Sequence, residues 1–127
     1  MGDWRTVNIL GAMKPEEAKE MIKELRSDDI WETPAWGFAI NFSLCGLNQW
    51  VKENGDIIGI GNLAERDCEI EDIEIGLEYL VSKYPSIELT LQAGDNYESK
   101  DCVATFEVHD GIVEKKEPQI ACVRTRW

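Results

Sequence analysis

The residues of this chain whose types could do chemistry are few, and most stand at spacings that chemistry does not use. Gly59-Ile60-Gly61-Asn62-Leu63-Ala64 has the G-x-G-x-x-A pattern of a dinucleotide loop, where glycines let the backbone approach a pyrophosphate held at a helix N-terminus. The strand–helix–strand unit that should bring an acid to the ribose about 20 residues onward is absent. The acid at the end of the next strand is Asp95, 36 residues past Gly59, and the acids that follow the motif repel phosphate. The run therefore reads as a Gly-rich strand end packed closely against a neighbour. Asp95, Ser99 and Asp101 offer oxygens in one loop, but Tyr97 stands where a calcium loop needs a ligand and Lys100 where it needs glycine. His109 is the only histidine, and beside the Asp110-Gly111 turn it is expected to face solvent. Cys45, Cys68, Cys102 and Cys122 are separated by 23, 34 and 20 residues, so neither a redox Cys-x-x-Cys nor a zinc knuckle is present. Cys68 lies among acids and Cys102 on an apolar strand face, and both settings disfavour a thiolate. No catalytic residue, metal or cofactor is expected.

One segment departs from ordinary composition. Glu65, Asp67, Glu69, Glu71, Asp72, Glu74 and Glu78 place seven acids in fourteen residues, offset by Arg66 alone. Acids at a helix start are favourable for the dipole, and a charged face keeps a protein soluble. The same segment also suits docking to a basic protein, because negative potential speeds association and fixes orientation. Against a nucleic-acid-cleaving partner it could occupy the site that receives phosphates. Trp50, together with Trp31 and Trp36, is a candidate aromatic anchor for such an interface if exposed.

The whole chain carries 25 acids against 13 Lys plus Arg, a net charge of −12 over 127 residues. That charge argues against nucleic acid and anionic membranes as partners and in favour of a basic one. Five Trp, three Phe and three Tyr within 43% apolar residues argue for a folded domain with one core. The opening residues lead into no apolar run of signal-peptide length, so a cytoplasmic location is expected. The longest uncharged stretch, Thr33–Val51, is interrupted by Pro34, Gly37, Asn41, Gly46 and Asn48, and reads as soluble strand and loop. The loose myristoylation match at Gly2 and the sequon Asn41-Phe42-Ser43 are expected to be unmodified.

The elements that must position these residues follow from periodicity. Trp4–Leu10 reads as a strand. Pro15, the acids after it and the Ala18, Met21, Ile22, Leu25 stripe predict a helix over 15–27, whose Glu16, Lys19, Glu20, Lys23 and Glu24 form a solvated face. Trp36–Leu44 alternates large apolar and small or polar residues, predicting a second strand, and Ile57–Ile60 a third. Ile70, Ile73, Leu77, Leu80, Val81 and Tyr84 make the stripe of a helix stopped by Pro85, with Gly76 permitting close packing on the sheet. Ile87–Gln92 and Cys102–Val108 alternate as strands, and Asp110-Gly111 turns into a short Ile112-Val113 strand. The result is a single α+β domain over 1–127, a two-layer sandwich in ferredoxin-like βαββαβ order with one or two extra C-terminal strands.

Gly2-Asp3-Trp4-Arg5-Thr6-Val7, Cys45-Gly46-Leu47-Asn48-Gln49-Trp50, Gly61-Asn62-Leu63-Ala64-Glu65-Arg66-Asp67 and Gly94-Asp95-Asn96-Tyr97-Glu98-Ser99 together resemble a family of small bacterial proteins. Such small acidic proteins look like the immunity proteins of polymorphic and contact-dependent growth-inhibition toxin systems. The resemblance implies a non-enzymatic, cytosolic protein that neutralises a cognate toxin by protein–protein interaction. No binding residue is carried over from it. The acidic segment is nominated from the residues alone. The alternative is a small enzyme or ligand-binding domain with a pocket between the sheet and the 45–50 loop, drawing on Asp95, Glu98 or His109. A third reading is an oligomeric structural domain that pairs exposed sheet edges.

Overall fold

A computed structural model of the chain describes residues 4–38, 50–65, 69–94 and 102–116. It is an α+β fold built on a five-stranded antiparallel sheet. The strands are β1 (Trp4–Ala12), β2 (Asp56–Glu65), β3 (Glu88–Gly94), β4 (Cys102–His109) and β5 (Ile112–Lys116), in the order β2-β1-β3-β4-β5. Helix α1 (Pro15–Leu25) leads into a 3-10 turn, Asp28–Glu32, and helix α2 (Ile70–Lys83) precedes β3.

Period-2 alternation decides which residues face the helices, while at the centre of the opposite face the paired Asn8, Gln92 and Thr105 are buried too. Val7 and Ile9 of β1, Leu89, Leu91 and Ala93 of β3, and Ala104, Phe106 and Val108 of β4 join one core with Ala18, Met21 and Leu25 of α1 and Ile73, Leu77, Leu80 and Val81 of α2. Register places Leu91 between Ile9 and Phe106, so the centre of the sheet is continuous apolar surface. On the other face Leu10 pairs directly with Ile58, and both are exposed. β4 and β5 are joined at Asp110 and Gly111, both with positive φ (53° and 76°), as the two-residue hairpin turn requires.

Two sequence expectations change. Trp36–Phe38 is helical, not the start of a strand, and positions 39–44 lie outside the described residues. The cause is local. Thr33 Oγ1 accepts a hydrogen bond from the Ala35 backbone N–H (3.2 Å), with Pro34 following, so Thr-Pro starts a helical turn. The ferredoxin-like order, which needs a strand there, is not reproduced by the described sheet. Gly76 allows close packing, but on the segment after the 3-10 turn: a Cβ there would stand 2.8 Å from the Phe38 ring and 3.0 Å from the Pro34 carbonyl oxygen.

That contact makes a prediction. Alanine at a mid-helix glycine ordinarily stabilises by about 1 kcal/mol. Gly76→Ala is instead expected to destabilise by about 1–3 kcal/mol, because a backbone oxygen cannot swing aside. The urea midpoint checks it, and a midpoint at or above that of the parent would refute the contact.

Candidate functional site: an acidic helix face

The orientation of α2 is set by its C-terminal end. The Glu24 carboxylate on α1 accepts hydrogen bonds from Tyr79 Oη (2.6 Å), Tyr84 Oη (2.5 Å) and Lys83 Nζ (2.8 Å). Two turns earlier on α1, Glu17 accepts from the Ser86 hydroxyl (2.7 Å) and the Ser86 backbone N–H (3.1 Å). These carboxylates, with the core stripe, fix α2 in rotation about its axis. Glu24 therefore does not belong to a solvated face. Burial alone would raise its pKa, but the hydrogen bonds from Lys83, Tyr79 and Tyr84 and the Lys83 charge outweigh that and hold it below the usual carboxylate value.

The opposite side of α2 carries the nominated acids, and they divide by role. Glu69 is the N-cap and Asp72 the N3 residue of a capping box: the Glu69 N–H donates to Asp72 Oδ2 (2.8 Å), and the Glu69 side chain accepts from the N3 backbone N–H. Those two acids satisfy helix-end donors and have a structural task. Glu65 ends β2 opposite Trp4, and Asp67 lies outside the described residues. Glu71, Glu74 and Glu78 remain. Among the described residues no base pairs with any of the three.

Between them stands a residue that the periodicity argument passed over. Ile75 is 50% exposed, with Glu71 one turn before it, Glu78 one turn after and Glu74 adjacent. The signal was present, because Ile75 is the aliphatic residue of α2 that lies off the core stripe. An exposed aliphatic side chain beside unpaired acids is a feature that a protein partner could cover.

Trp50 does not belong to this surface. It is 2% exposed, its ring lies 5.6 Å from that of Phe38, and its backbone carbonyl accepts from the Ile58 N–H where Val51 bridges to Ile57. The strand-like bridge turns the indole into the core, which removes it as an anchor. Trp36 is partly buried against the core, while Trp31 is 52% exposed.

No family model matches the chain, and no curated protein or solved structure is significantly similar to it. The chemistry of the site is therefore read from its own atoms.

The remaining candidates can be placed. Gly59–Ala64 lies wholly within β2, with Gly59 opposite Ile9 and Asn62 opposite Val7, so the motif is sheet ladder and not a phosphate loop. His109 is half exposed between Asp110 (3.5 Å) and Glu114 (3.3 Å) on the hairpin. Among the described residues no three His, Cys, Asp or Glu side chains are arranged to hold a metal ion. The Asp95–Asp101 loop and positions 45–49 of the proposed pocket wall lie outside the described residues. An open cleft of about 580 Å3 at the start of α1 is lined by Met13, Lys14, Ser86 and Glu88 among others. Its hydroxyl is fully engaged, since Ser86 Oγ donates to Glu17 and accepts from the Lys14 N–H (2.9 Å). No helix among the described residues is long and apolar enough to cross a membrane.

The Glu24 cluster gives a pH prediction. A carboxyl whose folded pKa is depressed stabilises the fold above its unfolded value, about 4.3 for glutamate, and loses that contribution as pH falls through the folded value. Glu24→Gln is expected to cost about 1–3 kcal/mol at pH 7 and to lose less than the parent on acidification. Urea midpoints at pH 7 and pH 3.5 check it, and parallel pH profiles for the two proteins would contradict it.

Proposed function

We propose that this chain is an immunity-type binding protein that neutralises a basic toxin domain in the bacterial cytoplasm by occluding its active site, with no catalytic activity of its own. The observation that supports the reading is the outer face of α2: Glu71 and Glu78, with the partly exposed Glu74, lack basic partners among the described residues and flank an exposed Ile75 on one side. Three free carboxylates beside a half-exposed aliphatic side chain match a surface of Lys and Arg with a small apolar hollow. A site that binds phosphates is such a surface. The net charge of −12 adds a long-range field of the same sign, so encounter is accelerated and salt weakens it.

The acids that cap α2 have a second consequence. Glu69 and Asp72 hold the first turn in place, so the docking acids are presented from a rigid element and little side-chain or backbone order is lost on binding.

The test is co-expression with the toxin domain encoded beside this chain. Growth is expected to be rescued by the parent, while the variant with Glu71, Glu74 and Glu78 all changed to lysine folds normally by circular dichroism but fails to rescue. Its association rate at low salt should fall about ten-fold or more. Rescue that survives the charge reversal would remove α2 as the face, and no rescue by the parent would remove the function.

A further inference from the structure

The helical side of the molecule exposes a second large apolar side chain, and its surroundings identify what it fits. We infer that Trp31 receives an arginine side chain of the basic partner, an inference that rests on the reading proposed above and extends its interface to the 3-10 turn. Trp31 is 52% exposed, while its neighbour Ile30 is 1% exposed and pins the turn into the core. The turn is closed at both ends. Ser27 Oγ accepts from the Asp29 N–H (3.3 Å), and the Thr33 hydroxyl donates to the Ile30 carbonyl (2.8 Å). The indole is thus carried on a fixed support with about half of the residue's surface open to solvent.

Charge complementarity selects the occupant. Asp28, Asp29 and Glu32 flank Trp31 and are exposed, and among the described residues none of them is paired with a base. A guanidinium can lie flat on an indole while its N–H groups point outward to carboxylates, whereas an ammonium is a more strongly hydrated point charge that stacks less well. Pro34–Phe38, directly after the turn, packs against Gly76, which ties the turn to α2.

The experiment uses hexa-arginine and hexa-lysine peptides as probes of the whole chain at low ionic strength, followed by the indole N–H signals in NMR. The Trp31 signal, identified by its absence in Trp31→Phe, is expected to move with hexa-arginine and to respond less to hexa-lysine. Trp31→Ala should weaken hexa-arginine binding about five-fold, the scale of a cation–π contact at a partly exposed site. Trp31→Phe should retain part of the affinity, which separates loss of the ring from damage to the turn. An unmoved Trp31 signal, or equal hexa-arginine affinity in Trp31→Ala, would overturn the inference. Toxin rescue unaffected by Trp31→Ala would remove Trp31 from the interface and leave the α2 reading standing. Arginine-selective binding at Trp31 without any toxin neutralised would support the contact and remove the function.

Discussion

The carboxylate of Glu24 is the constraint on which the outer surface depends. It sits between two helices 55 to 60 residues apart in sequence and gathers two phenols and an ammonium onto one acceptor. Apolar burial drives the helices onto the sheet, but burial is non-directional and would tolerate a helix rolled about its axis. Hydrogen bonds of 2.5 to 2.8 Å do not tolerate it. With Tyr79 and Lys83 turned toward α1, Glu71 and Glu78 stand away from the contact, and Ile75, one turn before Tyr79, lies on the exposed flank beside it. The chemistry available at the surface is settled by a contact elsewhere on the same helix.

The acids show how one residue type can do separate jobs within a few positions. Glu69 and Asp72 close the end of α2, Glu17 and Glu24 join α1 to the far end of α2, and Glu71 and Glu78 are left facing water with Glu74 partly exposed beside them. Net charge treats them alike, yet of these only Glu24 is paired with a cation among the described residues, Lys83, and the others together project a negative field. That field reaches about 8 Å at physiological ionic strength. It acts at the scale of an approaching protein surface, not of a small ligand entering a cleft.

Much of the architecture was legible from local rules. The stripe from Ile70 to Tyr84, ending before Pro85, marks α2 because no polar residue interrupts it, and Asp110-Gly111 marks the hairpin because few dipeptides accept two positive φ values. The Trp36–Phe38 misreading has a physical cause: large residues two apart satisfy a strand pattern, and a single helical turn that buries Phe38 on α2 satisfies it equally. The Thr33-Pro34 pair was the stronger signal. Trp50 gave no local sign of burial, since its neighbours Asn48, Gln49 and Lys52 are polar and the bridge that turns it inward forms with β2. Glu24 was hidden for the opposite reason. The mixed charges of Glu16, Lys19, Glu20 and Lys23 along the same helix gave a sufficient local account, while the partners of Glu24 lie on and just after another helix. Of the candidate site, the acids could be read from the sequence, but their division into structural and free ones required the fold.

The cluster around Glu24 also governs how the chain looks to light in base. The chain contains three tyrosines, and two of them, Tyr79 and Tyr84, donate to this one carboxylate. For Tyr79 the hydrogen bond to Glu24 is the main cause of a raised pKa; for Tyr84 it is burial, then the same bond. Phenolate formation at either site would set a new negative charge against an existing one. Those two rings therefore keep their neutral ultraviolet spectrum to higher pH while the helices remain docked than they would once α1 and α2 had separated.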